Sequence, residues 1–221
     1  MNNYQAKREQ LLAAGVLMMD PAAVYVEDGV EVGAGTMLLP GTILRGGTVI
    51  GSGCTIGPQT MITGCTVADN CTVNASQCEE STLERDCQIG PYTHIRPHCV
   101  VGAGSKIGAF VQLKNCNLGA GTKMAHLTYV GDSDVGEGVN FGCGCVTANY
   151  DGIQKFRTKI GNNAFIGCNT NLIAPVEVGE NASTGAGSTI TRNVPPNSLV
   201  VERAEPKVVQ NWEKNKMRKR R

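Results

Sequence analysis

The chain has 221 residues, a formal net charge of +1 at pH 7, 28 glycines and ten aromatic residues (four Phe, five Tyr, one Trp). So balanced a charge argues against a nucleic-acid surface, and so few rings argue against an ordinary layered core. A thin core of aliphatic side chains stacked in rows needs few rings.

The first apolar run, Leu11 to Met19, is short, is interrupted by Gly15 and follows Lys7-Arg8-Glu9. It fits neither a signal peptide nor a spanning helix, so a cytoplasmic chain without a membrane partner is expected. Ten cysteines are many, but no Cys-x-x-Cys occurs, and the close pair Cys143 and Cys145 has no second pair. Zinc spacing is absent, and reduced, packed cysteines are expected.

In chain order, residues 4–14 read as a short helix with Leu11 and Leu12 on its apolar stripe and Gly15 as its stop. Residues 1–20 form this helix and a lead-in. From Val32 a different rhythm begins: Val32, Leu38, Leu44, Ile50, Ile56 and Ile62 stand six apart. The series resumes at Val67 and Val73, then at Leu83, Ile89, Ile95, Val101, Ile107 and Leu113. It continues through Leu118, Met124, Val130, Val135, Phe141 and Thr147, and closes with Ile160, Ile166, Leu172, Val178, Thr184 and Ile190. Glycine follows many of these positions. A period of six is neither helical nor that of a simple strand; it fits a hexapeptide β-solenoid, with three hexads per triangular coil. The solenoid is expected over 21–194.

Breaks in the period test this reading. With the faces numbered one to three from Val32, the shortened steps Ile62–Val67, Leu113–Leu118 and Val130–Val135 all pass from face three to face one. Between Val73 and Leu83 there are two short steps, with Cys78 inward. The long gap from Thr147 to Ile160 also passes from face three to face one, so 148–158 is expected to project as a loop from one edge. The count stacks Cys54, Cys71 and Cys87 on face one of successive coils. Strands spaced about 4.8 Å apart make a disulfide conceivable, but a ladder of small apolar side chains is favoured. After Ile190 the prolines Pro195 and Pro196 end the regular ladder. Residues 195–221 form the tail, with a helix expected over 204–217 and a solvated basic end, Arg218 to Arg221.

Four stretches narrow the reading: Ile89-Gly-Pro-Tyr-Thr-His-Ile-Arg-Pro, Ala125-His-Leu-Thr-Tyr-Val-Gly-Asp, Ala148-Asn-Tyr-Asp-Gly with Lys155-Phe, and Ile173-Ala-Pro-Val. Through them the chain, from about Leu12 to Arg203, resembles the C-terminal acetyltransferase domain of the bifunctional bacterial enzymes that make UDP-N-acetylglucosamine. The resemblance implies an all-β, left-handed parallel β-helix, contrary to the usual right-handed crossover. It also implies a homotrimer with shared active sites, and transfer of acetyl from acetyl-CoA to the 2-amino group of glucosamine 1-phosphate.

That reaction needs a base for the amine, cations for the sugar phosphate, and a slot for CoA with a cation for its phosphates. His126 is the candidate base, since histidine is the side chain that titrates near neutrality. By the resemblance, Arg96, Lys114 and Lys155 contact phosphate and sugar, and Tyr129, Asn140 and Asn149 hold sugar hydroxyls. Asn149 and Tyr150 lie near the thioester, Cys143, Cys168 and Ala186 line the CoA channel, and Arg203 approaches the CoA phosphates. Asp132 is a weaker candidate for supporting the base.

Three departures from the family pattern stand out. Cys143 and Cys168 replace the usual Ala and Ser, and a thiol there invites a covalent relay, although direct transfer is favoured. Asn115 replaces a second lysine. The uridylyltransferase domain is absent from this sequence, so neither uridylyl transfer nor a catalytic metal is expected of it. The alternatives are an acetyltransferase for another amino sugar, a non-catalytic scaffold, and a metal hydratase, which needs clustered histidines.

Overall fold

The computed structural model describes residues 4–212. The chain forms a left-handed parallel β-helix, a triangular solenoid whose strands are two to seven residues long. Face one stacks Val32, Ile50, Val67, Leu83, Val101, Leu118, Val135, Ile160 and Val178 in register, all by parallel pairing. Face two stacks Leu38 through Thr184, and face three Leu44 through Val130, then Thr147, Leu172 and Ile190. The phase read from sequence therefore holds from Val32 to Ile190. Shortened hexads are absorbed in the turns, because a slip in a strand would have turned its aliphatic side chain outward.

Each hexad buries a second side chain, four residues or fewer after the first. These are small residues at the corners, such as Thr36, Thr42, Thr60, Ser105 and Thr122, all 1% exposed or less. A corner leaves turn carbonyls pointing inward, and a hydroxyl satisfies them: Thr36 donates to Gly51 O at 2.7 Å and Thr48 to Arg45 O at 2.6 Å. Cysteine fills the same niche. Cys54, Cys71 and Cys87 form a buried column at the turn from face one to face two, and Cys65, Cys99 and Cys116 another at the turn from three to one. All ten cysteines are free thiols.

The solenoid extends past the limits 21–194. Leu17–Met18 already pairs with Met37–Leu38, inside the supposed lead-in, and Leu199–Val200 pairs with Ser183–Thr184 beyond the prolines. Pro195 and Pro196 lie in a turn between strands, where no ladder N–H is needed. The helix Tyr4–Ala13 closes the first coil; Leu11 is buried, whereas Leu12 is 41% exposed and not part of the packed stripe. Lys7 Nζ and Arg8 Nη1 donate to the carbonyls of Asp28 and Val24 at 2.9 and 3.1 Å, satisfying the open end of the coil.

Of the helix expected over 204–217, residues 204–209 have no regular structure, 210–211 form a turn, and Trp212, the last described residue, is helical. Val208 is 82% and Trp212 61% exposed, so no apolar face is buried to stabilise a helix there. Residues 213–221, including the basic end, lie outside the described residues. No helix among the described residues is long and apolar enough to cross a membrane.

Candidate active site

Two edges of the prism, on either side of face three, hold most of the residues expected from sequence to form the site. At the edge between faces three and one, the strands Gln112–Leu118 and Tyr129–Val135 run round the corner unbroken. They turn there through Asn115 and Asp132, at φ +48° and +46°. Asn and Asp are the non-glycine residues that tolerate this left-handed region best. The turn aims Asp132, 5% exposed, at its neighbours in the stack: Asn115 Nδ2 donates to Oδ1 at 2.5 Å, and Asn149 Nδ2 donates to Oδ2. A buried carboxylate is thus satisfied by two amides.

Over this column lies a cleft of about 590 Å³ walled by Arg96, Lys114, Lys155, Arg157, His98 and Asp132. Three of the cations expected to hold sugar phosphate, Arg96, Lys114 and Lys155, meet here within one chain. The Lys155 ammonium, with Arg96 beyond it, holds the Lys114 amine below its ordinary range; Asp132 opposes this. Like charges held together are relieved by an anion, so the cleft is suited to a phosphate.

The loop supplying Lys155 is itself tied down. Tyr150 and Lys155 form an antiparallel bridge, and Phe156 N donates to Asn149 O at 2.9 Å. At the tip Asp151 accepts from the backbone N–H groups of Ile153 and Gln154, both at 2.8 Å, which hold its carboxyl below the usual range. Arg157 clamps the base of the loop, donating to Asp134 at 2.6 and 2.9 Å and to the carbonyls of Ser133 and Asn115 at 3.0 and 3.2 Å. Arg157, Asp134 and the bonding role of Asn115 were not singled out from sequence. The charge and spacing of Arg157 in Lys155-Phe-Arg were the available signal.

At the edge between faces two and three stands a second column. Ala109 pairs with His126. The next residue of each coil donates back to the coil before: Leu127 N to Ala109 O, Gly144 N to Leu127 O, Asn169 N to Cys143 O and Gly187 N to Cys168 O, at 2.8–3.0 Å. His126, Cys143, Cys168 and Ala186 therefore occupy one position in four successive coils. His126 and Cys168 are exposed. Arg203 Nη2 donates to Ala186 O at 3.2 Å, which puts the guanidinium at the end of this column.

The remaining expected site residues are distributed. Tyr129 lies on face three between the two edges, its hydroxyl over Gly131, where a β-carbon would also meet Asn149 Nδ2 at 3.0 Å. Asn149 and Tyr150 stand at the edge with the cations, not in the column of Cys143, Cys168 and Ala186. Asn140 is on face two beside Lys123 and Ala125, apart from the cationic cleft. Asp132 does not stand behind His126; it is on the opposite edge, engaged by Asn115 and Asn149. The three histidines are also apart: His94 faces Glu79 at 3.8 Å, His98 borders the cationic cleft, and His126 belongs to the other edge.

Comparison with known proteins gives a consistent picture. The family model for bacterial transferase hexapeptide (six repeats) matches residues 29–64, 80–115 and 157–192. The bifunctional protein GlmU of Caldicellulosiruptor saccharolyticus is 48% identical over 201 residues, covering 91% of this chain and 43% of that protein. GlmU of Exiguobacterium sibiricum is 49% identical over 195 residues, covering 88% and 43%. The chain thus spans less than half the length of these curated relatives. A solved UDP-N-acetylglucosamine acyltransferase from Francisella novicida superposes with a TM-score of 0.54 at 15% identity, over 91% of this chain and 73% of that one, a likeness of fold alone.

Proposed function

The chain belongs to the bacterial hexapeptide-repeat transferases and is related to the acetyltransferase part of GlmU; on that premise we propose that it moves acetyl from acetyl-CoA to the 2-amino group of glucosamine 1-phosphate. The observation that carries this reading is the cationic cleft. Arg96, Lys114 and Lys155 converge there, and the neighbouring Lys155 holds the Lys114 amine below its ordinary range. Asn149, bonded to Asp132 of the cleft, and Tyr129, whose hydroxyl lies over Gly131, are assigned to the sugar hydroxyls. Asn140, on face two, is assigned to a sugar hydroxyl across the subunit boundary.

His126 is assigned as the base. The amine nitrogen attacks the thioester carbonyl, its proton passes to the imidazole, and the CoA thiolate leaves and is protonated in turn. Acetyl-CoA lies along the column of Cys143, Cys168 and Ala186, with Arg203 on its phosphates and the loop residue Tyr150 near the thioester. His126 belongs to the same coil as Asp132, so base and cleft stand at one height but on different edges. A ring of three copies with parallel axes brings one copy's cationic edge to the next copy's His126 edge, which favours a homotrimer.

The test is thiol release from acetyl-CoA with glucosamine 1-phosphate, glucosamine, glucosamine 6-phosphate and UDP-glucosamine in parallel. Release with the 1-phosphate is expected to lead. Release only with another amine would replace the acceptor, and release with none would leave a scaffold.

A further inference from the structure

We propose that Cys143 and Cys168 form a thiol-exchange site, a paired dithiol on the outer wall of the solenoid that reacts with low-molecular-weight disulfides and closes to an intrachain disulfide. The two residues hold one position in consecutive coils. Asn140 and Phe141 pair with Phe165 and Ile166, and Asn169 N donates to Cys143 O at 2.8 Å. The spacing of adjacent strands, about 4.8 Å, lies inside the Cα range of disulfides. The Cys168 side chain leans back onto the earlier coil: its Sγ is 2.8 Å from where a β-carbon of Gly142 would stand. The bare backbone of Gly142 leaves that room, next to Cys143.

Exposure separates this pair from the others. Cys168 is exposed and Cys143 half-buried, whereas the other eight cysteines are buried. Cys99 and Cys116 are close too, with Sγ atoms 3.6 Å apart, but they are 1% exposed or less and closed to a solvent oxidant.

The chemistry balances with a disulfide RSSR as oxidant. Cys168 loses its proton to solvent and attacks one sulfur; the S–S bond breaks, and RS⁻ leaves and is protonated. Deprotonated Cys143 then attacks Cys168 Sγ and expels the second RS⁻. Two protein thiols are oxidised by two electrons, and RSSR is reduced to two RSH. If acetyl-CoA lies along this column, which rests on the function proposed above, the bridge sits in its path.

The experiment treats the folded chain with oxidised glutathione, quenches in acid, alkylates the denatured protein and maps its peptides. The expected product is a Cys143–Cys168 cross-link with the other eight cysteines alkylated, reversed by dithiothreitol. The Cys143→Ser variant should stop at a glutathione adduct on Cys168. A stable adduct on Cys168 of the unsubstituted chain with Cys143 still alkylated, a bridge elsewhere, or no reaction overturns the proposal. Saturating acetyl-CoA should slow bridging at least tenfold. Bridging at an unchanged rate would leave the dithiol standing and remove acetyl-CoA from this edge.

Discussion

At the edge between faces three and one, two seven-residue strands round the corner together, paired at six positions; at the edge between faces two and three, the strand Lys123–His126 stops at His126. The first edge has a buried carboxylate bonded to two amides, an arginine clamp and a projecting loop. The second has a bare column of small side chains with a histidine among them. The difference follows from what each is proposed to hold. Fixing a compact dianion requires cations in set places against their mutual repulsion, hence the supporting bonds. A long pantetheine arm requires an unobstructed slot, hence Cys, Cys and Ala. On the proposed function, the rigid edge binds and the open edge admits and reacts.

Substitutions at the two edges should separate these roles. The largest effect is expected from His126→Ala, which should cut acetyl transfer by about 10²–10⁴-fold while leaving the thermal melt unchanged, because the side chain is exposed. A variant that released CoA at the original rate would take the chemistry away from the open edge. Asp132→Asn on the rigid edge should do the reverse. An amide facing the two donors Asn115 and Asn149 leaves a buried donor unpaired, and stability should fall by about 1–3 kcal/mol in chemical denaturation.

Lys114→Ala should raise KM for glucosamine 1-phosphate by roughly tenfold or more, with little change for unphosphorylated glucosamine, since one phosphate cation is worth about 1.5–3 kcal/mol. Equal loss for both acceptors would remove the phosphate from the cleft. Because Lys155 holds the Lys114 amine below its ordinary range, affinity for the sugar phosphate should weaken as pH rises toward that of a free lysine, and begin to do so earlier. Calorimetry in buffers of different ionisation heat should show proton uptake on binding in that window.

The smallest effect concerns the loop. Asp134 is held below the usual carboxylate range by Arg157, so the anchorage it gives is complete above the ordinary value of about 3.9 and is lost as pH falls through the lowered one. Pepsin cleavage within 148–158 should rise as pH drops below about 4. Arg157→Ala should give that susceptibility without the pH step.

The repeat was legible because a solenoid writes its geometry into the chain at fixed distance: one inward aliphatic residue per hexad, with Gly or a small residue at the bend. Irregularities gathered mostly at one edge, as at Ile62–Val67 and Val130–Val135, told which corner carries the loop, although Val73–Cys78 shortens the step from face two to face three. The second inward position was less visible because Thr, Ser and Cys there resemble surface residues until the corner carbonyls they serve are seen. The helical expectation did not hold over 204–209, because local propensity cannot show whether a helix will find anything to pack against.

For the site, the motifs named the residues but not their grouping. Arg96, Lys114 and Lys155 are separated by 18 and 41 positions in the chain and meet only because coils stack and the loop folds back under the Arg157 clamp. Asp132 reads as a partner for His126, six residues before it, yet face three, at Tyr129–Val130, lies between them and leaves Asp132 at the other edge. The sequence by itself determined the period, the faces and the edge that bears the loop, because those are local and repeat. Only the tertiary structure decided which side chains share an edge, because that depends on the stacking of coils and the direction of each turn.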